Sequence, residues 1–436
     1  MIPPESTTPG PGAPTEDASA DDGAVPLRAM TAPADGVPAV VDTPDALARA
    51  MHRLAAGTGP VGIDTERAHG FRYFPKAYLI QLRRDGAGTH LIDPVAFENG
   101  EPRADLGPLR EAIADTEWIL HAATQDLPSL AEVGMLPRRL FDTELAGRLL
   151  GLPRVALGAL LERALGVSLA KEHSASDWST RPLPESWLAY AALDVELLGE
   201  LRDWVAAELE AAGKMRWAEE EFAHLAAHAG DEPTRRIDPW RRCSGLHAVR
   251  TPLGLAAVRE LWTARDELAQ QLDRAPGRIL GDKAITEVGV SVDASRRVSF
   301  GRDELRRIAG FKWRLASRYE STWLEALDRV AAMTASDLPP RRGASDELPA
   351  PRSWARSNPD AAARWERVRP AVNALAEQHA LPPENLLTPD TLRRLAWAPP
   401  ADITEDAVAA ALAACEARPW QRELVVPTLT PLLRSA

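Results

Sequence analysis

The chain has 436 residues, of which 45% are hydrophobic and 26% charged, a balance that fits a soluble globular protein of two to four domains and names no function. No apolar run reaches membrane-spanning length, the start Met1-Ile2-Pro3-Pro4-Glu5 lacks the features of a secretory signal, and Cys243 and Cys415 have no disulfide or zinc spacing around them; the expectation is a cytoplasmic protein without a membrane partner. A net charge of −12 disfavours phosphate binding as a whole, but residues 235–330 hold 19 Lys and Arg against 13 Asp and Glu, a net of +6, so acidity is segregated from one basic module.

Residues 1–36 are rich in Pro, Gly, Ala, Ser, Thr and Asp and are predicted to be a disordered tail. Strands are predicted at 39–41, 61–66, 77–82 and 90–92, with a helix over 45–56 and a turn at Asp85-Gly86. A helix over 104–114, a buried strand over 118–121 and a helix over 127–133 follow. An uninterrupted helical pattern runs from Pro184 to about Ala212, another helix covers 218–229, and Gly230-Asp231-Glu232-Pro233 marks a boundary. This order suggests an α/β domain over 37–230, with a mixed sheet covered by helices and a site at strand ends. Beyond it, 235–335 reads as a compact helical unit, 338–353 as a linker, and 354–436 as a second helical unit of similar length and punctuation.

Asp-Thr-Glu occurs three times, and the copy at Asp64-Thr65-Glu66 follows the apolar run Val61-Gly62-Ile63. On a strand, side chains alternate, so Asp64 and Glu66 share a face. Two carboxylates held together in a buried place repel unless something neutralises them, and divalent cations do so. The copies at 115–117 and 142–144 read as punctuation, with Asp142 or Thr143 suited to a helix N-cap. Asp126 follows the 118–121 strand, either as an N-cap or as a third acid at the strand end. Tyr190 and Asp194 lie four residues apart in a helix and therefore share a face. Four carboxylates and a phenol fit two-metal phosphoryl transfer, in which ions about 4 Å apart stabilise the attacking and leaving oxygens.

The segments Ile63-Asp64-Thr65-Glu66, His121-Ala122-Ala123-Thr124-Gln125-Asp126 and Tyr190-Ala191-Ala192-Leu193-Asp194 appear in the order of three exonuclease motifs. With the connecting segments Tyr78–Leu82, Leu91–Pro94, Phe141–Thr143 and Asp177–Leu183, residues 60–200 resemble the ribonuclease D family of DEDDy 3′–5′ exonucleases. The resemblance implies a ribonuclease H-like mixed sheet flanked by helices, followed by one or two all-α HRDC-type helical bundles. It also implies that Asp64, Glu66, Asp126 and Asp194 bind two Mg²⁺ or Mn²⁺ ions and that Tyr190 orients the attacking water. Arg67 stands where the family often has a bulky apolar residue, and an arginine there can stack on a base or pair with phosphate.

Residues 253–333 resemble the HRDC domain through Leu261–Ala269 and Arg278–Lys283, and the likeness coincides with the basic span. Candidate substrate contacts are Arg67, His121, Lys171, Arg278 and Lys283. Lys171 and His173 lie in a polar loop that is otherwise simply solvated. Trp365, Trp397 and Trp420 read as core. The combined expectation is a metal-dependent 3′–5′ exoribonuclease that releases nucleoside 5′-monophosphates, with RNA, precursor tRNA in particular, as partner. A DNA exonuclease is the alternative within the same chemistry, and an inert nucleic-acid-binding protein the alternative outside it.

Overall fold

The computed structural model describes residues 27–98, 100, 103–170, 175–232, 237–298, 300–341 and 348–434. Strands β1 (Arg28–Met30) and β2 (Val40–Val41) precede helix α1 (Pro44–Ala56), which Thr43 caps by accepting the Ala46 N–H. Then come β3 (Thr58–Arg67), β4 (Ala77–Asp85) and β5 (Gly88–Ile92), joined as antiparallel neighbours. The β4–β5 turn uses Gly86 and Gly88 at positive φ, a conformation glycine adopts without steric cost. Helix α2 (Gly107–Ala112), strand β6 (Glu117–Leu120), helix α3 (Leu127–Ala131), strand β7 (Arg139–Asp142) and helix α4 (Thr143–Leu149) follow. The domain closes with α5 (Leu157–Leu165), β8 (Val167–Leu169), α6 (Glu185–Glu196), α7 (Leu198–Ala211) and α8 (Met215–Ala227).

The main sheet has the order β2-β5-β4-β3-β6-β7, with β2, β6 and β7 pairing in parallel with their neighbours, so it is mixed as expected. Along β3, Val61 and Ile63 join Leu54, Leu109 and Leu130 in a core beneath α1, α2 and α3. Gly62 faces the other way, where a Cβ would come within 3.2 Å of the Leu198 Cβ. Glycine there lets the α6–α7 junction lie close against the strand. Ile119, Val195 and Leu198 pack on that side, and Leu79, Leu91, Trp178 and Ala192 continue the layer. Alternation then sends Asp64 and Glu66 toward α6.

Three features depart from the sequence reading. Residues 1–26 lie outside the described part, but 27–36 are not a disordered tail: β1 pairs in parallel with β8, and the Ala34 N–H donates to the buried Glu196 carboxylate at 3.1 Å. Backbone pairing and one buried acceptor substitute there for apolar side chains. Strands β7 and β8 were not anticipated, being too short for any periodicity to register. The helix from Pro184 is broken at Leu197, where α6 ends and α7 begins.

The basic unit contains α9 (Pro252–Leu272), α10 (Pro276–Ile279), α11 (Asp282–Ser295), α12 (Arg302–Arg307), α13 (Arg314–Arg318) and α14 (Glu320–Ala331), around Leu261, Ile285, Phe311 and Trp323. The last unit contains α15 (Trp354–Ser357), α16 (Pro359–Gln378), α17 (Pro383–Leu386), α18 (Pro389–Trp397), α19 (Glu405–Ala414) and α20 (Pro419–Arg434). Both units run from a long helix through a four-residue helix opened by proline into a further helix. The last unit shares one continuous core with α4, α5, α7 and α8. Trp420 is fully buried, stacks on Trp217 at 4.9 Å between centroids and donates its indole N–H to Glu221 at 2.9 Å. Trp365 and Trp397 are half-buried and pack around the fully buried Trp354.

Candidate active site

Asp64, Glu66 and Asp194 each offer a carboxylate oxygen within 4.8 Å of the other two. The first two come from alternate positions of β3, the third from α6 packed across that face. Asp126 approaches from the turn that follows β6. The intervening residue Thr65 points that way, and its hydroxyl donates to Asp126 Oδ1 at 2.7 Å. Asp126 is not one of the mutually closest three but is the acid whose charge weighs most on Asp64, and it lines the same cavity, a space of about 610 Å³ that also meets Arg67, His121, Glu144, Arg148 and Tyr190.

Asp126 precedes α3 at the N-cap position, yet its side chain makes no capping hydrogen bond. The capping alternative for this residue is thus set aside, because the carboxylate is turned to Thr65 and the cavity. Its placement depends on the turn after β6, where Ala122 adopts a left-handed conformation at φ 60°, costly for a residue with a Cβ. Asp142 holds that turn: its carboxylate accepts the N–H groups of Ala122, Ala123, Glu144 and Leu145 at 2.9–3.2 Å. The third Asp-Thr-Glu is a helix N-cap, as read, and at the same time a clamp on the segment that delivers Asp126. Sequence reasoning missed that second role, since the partners lie some twenty positions away.

Connecting segments fix α6 in a similar way. Arg181 makes a two-pronged pair with Asp93, 2.7 Å on each oxygen, and donates to the carbonyls of Tyr78 and Trp178. Trp178, fully buried, sits with its ring 6.5 Å from that of Tyr190. The Tyr190 hydroxyl in turn hydrogen-bonds Asp194.

The electrostatics follow from burial and crowding. Asp64 and Glu66 are held well above the usual carboxylate range, first by burial and then by the neighbouring acids. Burial pushes Asp126 up to about 6, against the Thr65 hydrogen bond and the Arg67 charge. Asp194 is pushed up to about 7, again by burial first, against the hydrogen bond from Tyr190. Burial and the same acids drive the Tyr190 phenol far up, so it keeps its proton. His121 is pushed down to about 4 by burial and is neutral, with Nδ1 2.9 Å from the Thr143 hydroxyl. Without cations the cluster must hold protons. Hard oxygen donors in this number and placement fit Mg²⁺ or Mn²⁺, which would release those protons.

The structure thus gathers Asp64, Glu66, Asp126, Tyr190, Asp194, Arg67 and His121 around one cavity. Arg67 donates to the Gln125 carbonyl at 2.6 Å, beside Asp126. Lys171 and His173 lie outside the described residues. Lys283 is exposed on α11, away from the cavity lining. Arg278, another candidate substrate contact, donates to the Gly70 carbonyl at 2.6 Å and stacks 3.9 Å from the Phe71 ring centroid, so it also makes a contact between two units. Glu144 and Arg148, paired at 2.6 Å on α4, are cavity residues that no motif had flagged.

Residues 38–210 match the family model described as 3′–5′ exonuclease, residues 254–327 the HRDC domain, and residues 347–433 the 3′ to 5′ exonuclease C-terminal domain. A protein named ribonuclease D from Gluconacetobacter diazotrophicus is 30% identical over 84% of this chain and 88% of its own length. The chain belongs to the ribonuclease D family. Another relative of that name, from Acidiphilium cryptum, is 32% identical over 72% of this chain and 78% of its own length. A crystal structure of a protein from Bifidobacterium adolescentis superposes with a TM-score of 0.82 at 38% identity, covering 94% of this chain and 100% of the other. The Escherichia coli RNase D structure shares the fold, with a TM-score of 0.64 at 24% identity over 91% and 98% of the two chains. As a ribonuclease D family member the chain is a 3′–5′ exonuclease, and the dependence of such exonucleases on divalent metal agrees with the acidic cluster. Among the described residues no helix is long and apolar enough to cross a membrane.

Proposed function

We propose that the chain shortens RNA from its 3′ end, releasing nucleoside 5′-monophosphates, with Asp64, Glu66, Asp126 and Asp194 holding two Mg²⁺ or Mn²⁺ ions. The observation that carries this reading is the close trio Asp64, Glu66 and Asp194, half-buried to buried, with Asp126 in the same cavity. Bound divalent ions would supply charge stabilisation at the scissile phosphate and a more acidic attacking water.

The protein's own groups have separable tasks. Tyr190 is tied to Asp194 by a hydrogen bond, which places its hydroxyl to orient the attacking water. Neutral His121, with Nδ1 committed to Thr143, has Nε2 left for a sugar or phosphate oxygen. Arg67 partly offsets the acids and stands ready to meet the terminal nucleotide. The basic HRDC unit supplies longer-range attraction for the phosphate backbone through exposed groups such as Lys283, and 354–436 is a second, HRDC-like unit. The relatives' name, ribonuclease D, supports RNA as substrate. E. coli RNase D is described as an exoribonuclease involved in structured RNA processing, which supports 3′ ends beside stems, precursor tRNA among them.

RNA and DNA oligomers of one sequence, 5′-labelled and assayed side by side with Mg²⁺ or Mn²⁺, test the reading. RNA should shorten in single-nucleotide steps, faster than DNA, and a precursor tRNA should lose its trailer and stop near the stem. Internal cleavage, or DNA degraded in preference to RNA, would overturn it.

A further inference from the structure

Residues 68–76 connect β3, which ends just beyond Glu66, to β4. The ladder between these strands is irregular there: Glu66 pairs with Leu79 but Arg67 with Ala77. A bulge of this kind leaves the strand end incompletely fixed by sheet hydrogen bonds. The fixing comes from the HRDC unit. Asp273, the left-handed residue that ends α9, accepts the N–H groups of Tyr73 and Phe74 at 3.1 and 3.3 Å and pairs with Arg72 at 3.6 Å. The Tyr73 hydroxyl donates to Asp266 on α9 at 3.1 Å, and the Ala275 N–H donates to the Phe71 carbonyl at 3.1 Å. Arg278 completes the set through Gly70 and Phe71. Arg72 also reaches Ser179 at 2.8 Å, next to the Trp178 that backs Tyr190. Contacts from some 200 positions away thus converge on the loop that leaves the metal-binding strand.

We propose that the HRDC unit braces the active-site loop, with Asp273 and Arg278 as positioning residues for the exonuclease reaction. This rests on the proposed function, and it separates two tasks that one domain could have: holding RNA and holding the catalytic strand. A brace acts on turnover of any substrate, whereas an RNA contact acts on affinity for long substrates alone. Misplacing a ligand by about an ångström costs on the order of a hundredfold in rate, so loosening this loop is expected to be visible in kcat.

The test compares full-length wild type with Asp273→Ala, Asp273→Asn and Arg278→Ala on two probes, a 5′-phosphorylated diadenylate and a long single-stranded RNA, after thermal unfolding has verified that each variant is folded. Asp273→Ala and Arg278→Ala should lower kcat roughly 10- to 100-fold equally on both probes, with KM for the long RNA within about twofold of wild type. Asp273→Asn keeps an acceptor for the two N–H groups and tolerates the left-handed backbone, so it should retain most of the turnover. Unchanged turnover on diadenylate with a raised KM on long RNA would assign these residues to RNA binding and overturn the brace, as would an Asn variant as impaired as the Ala variant. A wild type inert on both probes would instead contradict the proposed function.

Discussion

Asp194→Ala is expected to reduce 3′-end hydrolysis by at least about a thousandfold while leaving RNA affinity within about twofold of wild type. Asp194 takes part in the close carboxylate trio and is the hydrogen-bond partner of Tyr190. Its removal takes away a cation ligand and the anchor of the phenol in one step, and both effects fall on the transition state. Affinity should survive because backbone phosphates are held by Lys and Arg, and the basic span 235–330 is untouched by the change. A 5′-labelled RNA followed by gel, with affinity measured separately under calcium, checks both halves. Hydrolysis at the parent rate would remove Asp194 from the chemistry.

The second large effect concerns stability. In the metal-free protein Asp126 is raised to about 6 and Asp194 to about 7, from an ordinary value of 3.8. Folded molecules therefore keep protons on these acids that unfolded ones release, and the acids' contribution to stability falls as pH rises between about 4 and 7, while His121, held down to about 4, contributes in the opposite direction over that range. The stabilising contribution of the protonated acids is complete below the unfolded value and is lost as pH passes through the two folded values. At about 1.4 kcal/mol per pKa unit, with coupling among the acids, the loss is on the order of a few kcal/mol. Mg²⁺ or Mn²⁺ binds the deprotonated form, so the gain in melting temperature on adding metal should be small at pH 5 and large at pH 8. Asp194→Ala removes one of the shifted groups and should flatten the metal-free pH slope. A metal-free pH slope unchanged by Asp194→Ala, or a thermal shift that does not increase with pH, would contradict this electrostatic description.

The legible parts of the sequence were those set by local periodicity. Val61-Gly62-Ile63 announced a strand, and alternation alone put Asp64 and Glu66 on one face, as found. The spacing from Tyr190 to Asp194 gave a shared helix face for the same reason. What escaped was long-range or too short to carry a period. β7 has four residues and β8 three, and β1 lies in a segment whose composition resembles a tail. Asp142 looked like an ordinary helix cap because its other partners, Ala122 and Ala123, belong to a different strand end. Arg278 looked like one of many arginines on a basic bundle, and only its neighbour 208 positions away reveals that it closes on the loop that follows the strand bearing Asp64 and Glu66. Even the hydrogen bond from Thr65 to Asp126 follows from Thr65 pointing away from Asp64 and Glu66, which alternation implies once the position of α3 is known.

Counting Mn²⁺ by electron paramagnetic resonance at pH 8, with nucleoside 5′-monophosphate present to complete the site, tests the four-carboxylate account most directly. Two ions per chain, with the count falling in Asp64→Asn and in Asp126→Asn, is the predicted result. A wild-type chain that takes up no Mn²⁺, or one whose count is unchanged by both substitutions, would contradict it.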